Sequence, residues 1–472
     1  MKTIPQNQKL LKHLFELIES HRVIFGQQRV YDRVVALVLA EIMVFARHTI
    51  TQLIMTLGLV EQDWSAWYRL FSHKRFDYDR ASTILFGETL KHVREDAVYV
   101  VGGDGTQTPR SSRKMEGSWW LRHPRTPPFM VGIHAAQRWF NGSWLIPDEN
   151  GYSRALPLRW LPAFTEKSKP QEHEPCKEWE AAVAFLVWIR QQLKRHNRSN
   201  QAVLMVTDGS YDNLNLWKHL PDGVILLARS AKNRVLYSLP TVQNGRGRKR
   251  KYGERVASPQ QRWQSRTGWR KLEIEVRGRL RHLQYKVSQP VIRHGAPERR
   301  LILIVVRGKQ RKTIHGKTYR RQPLPFLVNA VQDEHGVWQL PLPVETLLFW
   351  AWQRWELEVC YRELKSNFGL GNKQCFNPHS AVLSVQWSAW VYSLLLLVGY
   401  RTWGLCTAPD VPTRWWRGSQ RWSLNTLWRA YRSALWGHHE FHPLCTPTQD
   451  DWGEKETRLR ALYNAIFASA RS

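Results

Sequence analysis

The sequence contains few cysteines, and no two of them are closely spaced. Five occur in 472 residues, which is an odd number. Because no Cys-x-x-Cys pair is present, the sequence excludes a disulfide framework and a thiolate zinc site, and it fits a reducing compartment. The five residues are Cys176, Cys360, Cys375, Cys406 and Cys445.

Several other signatures are missing. The N-terminal segment carries charges throughout and lacks the apolar run of a signal peptide. The glycine-bearing segments 102–114 and 368–374 do not follow the spacing of a phosphate-binding loop, so the sequence does not support ATP binding. No Ser-His-Asp order or zinc-ligand spacing occurs. His123 and His134 are single histidines, which are more often structural than catalytic.

Long uncharged runs are also rare, and only residues 381–400 have the length of a membrane span. This stretch carries Gln386, three serines and two tryptophans. Such polar content favours a buried core helix over insertion into a bilayer. We therefore expect a protein without membrane association.

Acidic residues are greatly outnumbered by basic ones. The chain has 39 Asp and Glu against 70 Lys and Arg, a formal net charge of +31. Such a chain attracts polyanions and binds nucleic acid in a salt-dependent way, although a ribosome- or membrane-associated basic protein is an alternative. The 25 tryptophans suit stacking on bases, but for any single one a place in the core is favoured. With 43% hydrophobic residues the chain can bury a sizeable core, and its length suggests about three structural units.

The N-terminal region, residues 1–92, is predicted to be helical because apolar residues recur at helical spacing. Basic residues such as Lys74, Arg75, Arg80 and Lys91 lie among them. These charges favour a helical region that binds DNA, with a plain helical cap as the alternative.

Residues 93–236 are predicted to form the first part of a mixed α/β core. The helical spacing covers 178–195, and the apolar runs that indicate strands are 97–101, 129–139, 143–146, 203–206 and 224–228. Two acids end two of these strands, Asp104 in VVGGDGT and Asp208 in VTDGS. Carboxylates on neighbouring strands can share divalent metal ions, although a single Asp-Gly after a strand is more often only a turn.

The rest of the chain divides into three parts. Residues 237–340 hold a basic, glycine-bearing run that indicates a solvated loop, followed by short alternating segments that predict a β-rich insertion. Residues 341–405 complete the core with helices. Residues 406–472 form a basic tail that is predicted to be helical.

The segment 349–370 has the most informative spacing. On a helix that turns about 100° per residue, Glu358 shares one narrow stripe with Arg354 and Lys365. The same stripe holds Trp350 and Tyr361. An acid between two cations suits a site that handles metal and phosphate, and an ordinary Arg–Glu pair on a solvated face is the alternative.

The other acids of this segment, Glu356 and Glu363, face away from the stripe, so helical phase selects Glu358. The spacing Arg354-x3-Glu358-x6-Lys365 resembles the Y-x2-R-x3-E-x6-K signature of bacterial insertion-sequence transposases of the DDE class. That family has an RNase H-like core with a β-rich insertion between its second Asp and its Glu. The run LLARSAKNR, 226–234, is similar to the family's Arg-bearing strand after the second Asp.

The resemblance covers roughly residues 95–370 and has one departure. Ala351 stands where the signature has tyrosine, and Trp350 or Tyr361 on the same stripe could supply the aromatic contact to DNA. The loss puts the detailed handling of the DNA end in question, including whether a hairpin intermediate forms, but it removes no metal ligand.

The resemblance implies a fold, a site and a reaction. The expected fold class is α/β, an RNase H-like mixed sheet with a helical N-terminal region, a β-rich insertion and a helical C-terminal tail. Asp104, Asp208 and Glu358 would hold two Mg²⁺ ions, or Mn²⁺ in their place, for cleavage at transposon ends and strand transfer into target DNA. The residues expected to contact DNA are Arg354, Lys365, Arg229, Lys232, Tyr361 and Trp350.

The implied partners are the terminal inverted repeats of a transposon and target DNA, bound by a homodimer in the bacterial cytoplasm at the nucleoid. Two alternatives from other classes stay open. One is a non-catalytic DNA-binding protein derived from such an element, and the other is an RNase H-like nuclease that does not join strands.

Overall fold

A computed structural model describes residues 6–123, 132–147, 149–241, 248–307, 311–312, 318–319, 322–409 and 421–436. Parts of the predicted basic loop, 242–247, and of the predicted tail, 410–420 and 437–472, lie outside the described residues. The helices are α1 (Gln6–Ser20), α2 (Gln28–Met43), α3 (Ile50–Thr56), α4 (Ser65–Ser72), α5 (Tyr78–Leu90), α6 (Glu178–Arg195), α7 (Leu214–Lys218), α8 (Pro259–Gln264), α9 (Val344–Gln353), α10 (Trp355–Ser366), α11 (Pro378–Trp403) and α12 (Leu424–Trp436).

The strands divide into those of the core and those of the predicted insertion. The core strands are β1 (Tyr99–Pro109), β2 (Ser118–Arg122), β3 (Ile133–Leu145), β4 (Ala155–Pro162), β5 (Val203–Thr207) and β6 (Val224–Arg229). The later strands are β7 (Leu236–Ser238), β8 (Arg270–Glu275), β9 (Leu280–Val287), β10 (Val291–Arg293), β11 (Ala296–Arg307), β12 (Arg311–Lys312), β13 (Thr318–Tyr319), β14 (Leu324–Asn329), β15 (Val331–Gln332) and β16 (Trp338–Gln339).

The core is a mixed sheet whose central strands have the order β4-β3-β1-β5-β6. β1 runs antiparallel to β3 and parallel to β5, and β5 runs parallel to β6. The runs VLMVT and VILLA of β5 and β6 are buried throughout, as expected for parallel strands that are covered on both faces. The mixed α/β sheet with helices at both ends of the chain confirms the predicted fold class.

The described part of the predicted strand 129–139 and most of the predicted strand 143–146 belong to one strand, β3, while residues 129–131 lie outside the described residues. Gly142 lies between the two predicted segments and stays inside the strand. A Cβ there would lie 2.4 Å from the ring of Phe185 on α6. The glycine therefore allows close approach of helix and sheet, not a turn.

The strands of the predicted insertion continue the core sheet. β14 pairs with β6, β11 pairs with β14, and β10 and β7 follow in order. β9 pairs with β11 and with β8 at the far edge. The four alternating segments predicted as strands correspond to β8, β9, β11 and β14.

The long helix α11 lies at the centre of the helical part of the protein. It is long and apolar enough to cross a membrane, but 94% of its apolar 18-residue segment is buried inside the protein. It contacts α1, α4 and α5 of the N-terminal region and β4 of the sheet. This agrees with the predicted core helix.

The predicted continuous helix over 344–365 is divided into α9 and α10 at Arg354. Arg354 keeps helical dihedral angles, with φ −50° and ψ −29°. The interruption falls at the arginine of the R-E-K spacing, next to the candidate site.

Candidate functional site

The first two predicted acids lie next to each other on adjacent strands. The parallel pairing of β1 with β5 ends at Gly103 opposite Thr207, and Asp104 and Asp208 are the next residues on the two strands. Asp104 does not end its strand as predicted, because β1 continues to Pro109 against β3. It lies where the parallel partner ends, which places its carboxylate at the edge where Asp208 begins a turn.

The electrostatics of this pair favour a cation. The Asp104 side chain is only 17% exposed. Burial, together with the nearby Asp208 carboxylate, raises the pKa of Asp104 to about 7, although Arg354 acts in the opposite direction. Two neighbouring carboxyl groups do not readily ionise at the same time unless a positive charge lies between them.

Helix α10 crosses β1 on the face that holds Asp104. At Gly102, a Cβ would lie 2.9 Å from the side chain of Leu357. The Tyr361 hydroxyl donates to the Asp104 carbonyl at 2.9 Å. The Lys365 ammonium donates to the Thr106 hydroxyl at 2.6 Å. The predicted helical stripe therefore lies over the strand with the first acid.

Arg354 connects the third acid to this pair. It donates to the Glu358 carboxylate at 2.5 Å and lies 3.9 Å from Asp104. Glu358 is 38% exposed, so its side chain has room to move. Among the described residues no three acids, histidines or cysteines already lie close enough to hold a metal ion. The structure thus brings Asp104 and Asp208 together and joins Glu358 to them through a guanidinium.

The donor set fits a hard divalent cation. All three candidate ligands are carboxylates, which Mg²⁺ and Mn²⁺ prefer. The raised pKa of Asp104 reflects burial and a neighbouring negative charge, both of which a cation would offset. Arg354 supplies positive charge at the same place.

The other two acids of α10 have structural partners, as helical phase predicts. Glu356 is 4% exposed and forms a salt bridge with Arg277 at 2.8 Å. Glu363 is 8% exposed and pairs with Arg154 at 2.5 Å. Neither faces Asp104.

A basic, aromatic cavity of about 280 Å³ opens beside the acids. The strand residue before Asp208, Thr207, lines it, and so do Arg229, Arg354 and Trp355. Trp355 is 48% exposed, so its ring is available to a ligand. The full lining is Thr207, Arg229, Val276, Arg277, Arg281, Leu324, Phe326, Ala351, Trp352, Arg354 and Trp355.

The residues predicted to contact DNA differ in how exposed they are. Arg229 and Lys232 are exposed, and Arg229 faces the cavity. Tyr361 is mostly covered and hydrogen-bonds β1. Trp350 is only 9% exposed and lies edge-on against Phe349, so it belongs to the core and we remove it from the DNA-contact set. Trp355, five residues further on, has the exposed ring.

Sequence reasoning missed Asp212, four residues after Asp208. Its carboxylate is fully buried and accepts from Ser230 and Arg234 at 2.7 Å and from Trp217 at 3.0 Å. Arg293 of β10 lies 3.5 Å away. Asp212 therefore fastens the turn of Asp208 to the turn that carries Lys232. A second acid in VTDGSYD was the only sequence signal for it.

Sequence reasoning also missed Glu178 and Tyr211. The Tyr211 hydroxyl donates to Glu178 at 2.9 Å. Tyr211 closes the 3-10 turn Gly209–Tyr211, which Asp208 caps by accepting from the Ser210 amide at 2.9 Å. Glu178 lies 33 residues away in sequence, so no local pattern could connect it to the site.

Comparison with known protein families gives a match over residues 25–286 to the family described as DDE superfamily endonuclease. The match covers more than half of the chain and includes Asp104 and Asp208, whereas Glu358 lies beyond it. It also crosses the predicted boundary between the N-terminal region and the core. Among curated proteins, none matches the chain.

Proposed function

This chain belongs to the DDE superfamily of endonucleases, and from that membership we propose that it is a cut-and-paste transposase of a bacterial insertion sequence. It would cleave DNA at the ends of the element and join them to target DNA. The observation that carries the proposal is the placement of Asp104 and Asp208 on adjacent parallel strands beneath the helix with Arg354 and Glu358. A site of this kind serves both reactions, because each is an in-line phosphoryl transfer.

In the proposed mechanism Asp104, Asp208 and Glu358 hold two divalent ions, Mg²⁺ or Mn²⁺. The bound ions would supply Lewis acidity to the attacking and leaving oxygens. In cleavage, water attacks the phosphorus at the element end, the bond from phosphorus to the 3′-oxygen breaks, and a 3′-hydroxyl is released. In joining, that 3′-hydroxyl attacks a target phosphodiester, forms a new bond to phosphorus and releases a target 3′-hydroxyl.

Arg354 has two partners in this scheme. It pairs with Glu358 and lies 3.9 Å from Asp104. Its guanidinium also lines the cavity, where a DNA phosphate would accept its paired donors. Arg229 lines the same cavity, and Lys232 and Lys365 are proposed as further DNA contacts.

The element has two ends that must be processed together, so we propose that two copies of the chain assemble on paired terminal inverted repeats. The protein would act in the bacterial cytoplasm, on DNA of the nucleoid. Its net charge of +31 favours binding to DNA at low salt.

The proposal is tested by incubating the protein with DNA that carries both element ends and a supercoiled target. With Mg²⁺ we expect strand cleavage at the element ends, followed by products in which an end is covalently joined to the target DNA. Neither product is expected with EDTA. Specific binding of end DNA without cleavage would favour the non-catalytic alternative. Cleavage that never yields joined products would favour the nuclease.

The N-terminal helices carry a cluster of arginines that suits the DNA backbone. Burial and then the charges of Arg29, Arg75 and Arg69 lower the pKa of Arg33, which shows that the four cations are crowded together. Three of them contact neutral groups. Arg33 lies over the Trp67 ring at 6.0 Å, Arg29 donates to the Gln27 side chain, and Arg69 donates to the Ser65 hydroxyl.

We expect that changing these four arginines to glutamine will weaken binding of end DNA and flatten its salt dependence. Each lost phosphate contact reduces the slope of log K against log salt by about one, so a change of roughly two to four is expected. The measurement is fluorescence anisotropy in EDTA at several salt concentrations.

The matched control changes four exposed cations at the opposite end of the parallel strands, namely Arg94, Lys194, Arg195 and Lys218. It removes the same net charge. Equal effects of the two quadruple variants would show that general charge, and not this cluster, governs binding.

A further inference from the structure

Glu178 contacts both halves of the candidate site, although the chemistry proposed above assigns it no role. It is the first residue of α6 and its side chain is 17% exposed. The carboxylate accepts from the Tyr211 hydroxyl at 2.9 Å and pairs with Arg138 of β3 at 2.6 Å. It therefore joins a helix, a strand and the turn after Asp208.

The carboxylate of Glu178 also fits against the strand of the first acid. A Cβ built on Gly105 would lie 2.2 Å from its Oε1 atom, so the carboxylate fills the space that a side chain at position 105 would need. Gly105 directly follows Asp104. The position of Glu178 is thus tied to the backbone that holds the Asp104 carboxylate.

Tyr211 ties the same group to the second acid. It ends the 3-10 turn that Asp208 begins, is 2% exposed and lies against the Phe140 ring with centroids 6.0 Å apart. The ring is therefore fixed by packing, and its hydroxyl reaches Glu178. Asp212 fixes the other side of the turn to β10 and to the loop after β6.

We propose that Glu178 and Tyr211 are positioning residues that set the separation of the Asp104 and Asp208 carboxylates and so prepare them for metal. This inference rests on the proposed function, since the purpose of the separation is to bind divalent ions. The link runs from β1 through Glu178 to Tyr211 and the Asp208 turn. It adds no ligand and contacts no substrate.

The test compares Tyr211→Phe with Tyr431→Phe in the full-length protein. Tyr431 is also buried, and its hydroxyl donates to the Leu395 carbonyl at 3.1 Å, so both variants lose one buried hydroxyl. Mn²⁺ binding is measured by electron paramagnetic resonance without DNA, and cleavage is measured against Mn²⁺ concentration. Loss of a group that orients metal ligands costs about tenfold or more in metal affinity.

We expect Tyr211→Phe to weaken Mn²⁺ binding by about tenfold and to regain most of its cleavage rate at saturating Mn²⁺, while Tyr431→Phe changes neither. Glu178→Ala is expected to behave as Tyr211→Phe, and Glu178→Gln, which can still accept from Tyr211, is expected to recover most of the affinity. DNA affinity in EDTA stays unchanged in all four variants.

Two results would overturn the inference. One is an unchanged Mn²⁺ affinity in Tyr211→Phe and Glu178→Ala when wild type binds Mn²⁺ and cleaves. The other is an equal loss in Tyr211→Phe and Tyr431→Phe, which would indicate general destabilisation. If wild type neither binds Mn²⁺ nor cleaves, the proposed function fails and the positioning role fails with it.

Discussion

Asp104→Asn and Asp208→Asn are each expected to lower the rate of DNA cleavage by at least about a thousandfold, which corresponds to roughly 4 kcal/mol of transition-state stabilisation. The reason is that each change replaces a charged metal ligand by a neutral amide while keeping its shape. Glu358→Gln is expected to have a similar effect. The measurement is single-turnover cleavage of end DNA at fixed Mg²⁺, with DNA affinity measured in EDTA.

DNA affinity is expected to be unchanged or higher in these variants, because removing a carboxylate reduces repulsion of phosphate. Asp222→Asn provides the matched control, since Asp222 is exposed just before β6, at the opposite end of the strand from the acids. Full cleavage by all three site variants would refute the carboxylate assignment, whereas equal loss in Asp222→Asn would point to a fault in the preparation.

The pH dependence of thermal stability distinguishes a variant that has lost a metal ligand from one that is misfolded. The folded pKa of Asp104 is raised to about 7, by burial first and then by Asp208. A raised acid pKa means that the folded state binds the extra proton, so wild type loses stability as pH rises from about 4 toward 7. We therefore expect Asp104→Asn to melt at or above the wild-type temperature at pH 8 without metal, and to lose this advantage near pH 4.

The sequence predicted that Asp104 and Asp208 lie on neighbouring strands because short-range rules determine that placement, whereas their role as metal ligands stays a prediction. A buried apolar run followed by glycine places Asp104 and Asp208 at the same edge of parallel strands. Helical phase alone separated Glu358 from Glu356 and Glu363, and the structure pairs the latter two, which are buried, with Arg277 and Arg154. Neither rule depends on distant parts of the chain.

The features that sequence reasoning missed depend on distant parts of the chain. Whether Trp350 of α9 or Trp355 of α10 is exposed depends on how the two helices pack against the rest of the fold, including the contact of α9 with β8. The bond from Glu178 to Tyr211 joins a helix and a turn that no periodicity relates. Likewise, Gly142 lies between two predicted strands, and the Phe185 ring that lies against it comes from the distant helix α6.

A buried ionic cluster connects the N-terminal helices to the catalytic half of the chain. Glu41 of α2 is fully buried and pairs with Lys373 at 2.7 Å and with His48 at 2.5 Å. The Trp387 indole of α11 donates to the same carboxylate at 2.9 Å. Lys373 lies between α10 and α11, and its carbonyl accepts from Arg110 at 2.8 Å. The cluster thus joins α2, α11 and the segment that follows the Glu358 helix.

Burial alone would raise the pKa of Glu41, but Lys373 and His48 outweigh it and lower the pKa to about 2. A depressed acid pKa contributes stability that is fully present above the unfolded value of about 4.3 and is lost as pH falls through about 2. The ionised pair therefore stabilises the fold at neutral pH. Removing only Lys373 would leave the buried carboxylate without its ammonium partner, with His48 and Trp387 as the remaining contacts.

Lys373→Met is accordingly expected to lower the free energy of unfolding by about 3–5 kcal/mol at pH 7, the usual cost of breaking a buried pair on one side. Lys12→Met is the control. Lys12 is 66% exposed and lies 3.9 Å from Glu16, so its loss should cost less than about 1 kcal/mol. Both values are measured by urea unfolding. A Lys373→Met cost no larger than that of Lys12→Met would show that the cluster contributes little.

The same experiment bears on whether the N-terminal helices form a separate unit. If they were independent, losing Lys373 would release them and leave the sheet intact, giving two unfolding transitions. Because Glu41 is anchored to α11, which itself contacts β4, we expect a single transition at lower urea, seen equally by far-ultraviolet circular dichroism and by tryptophan fluorescence. The N-terminal helices that we propose to bind DNA would then be a rigid extension of the core sheet, and the four arginines, on α2, α4 and the loop after α4, would hold a fixed position relative to Asp104 and Asp208.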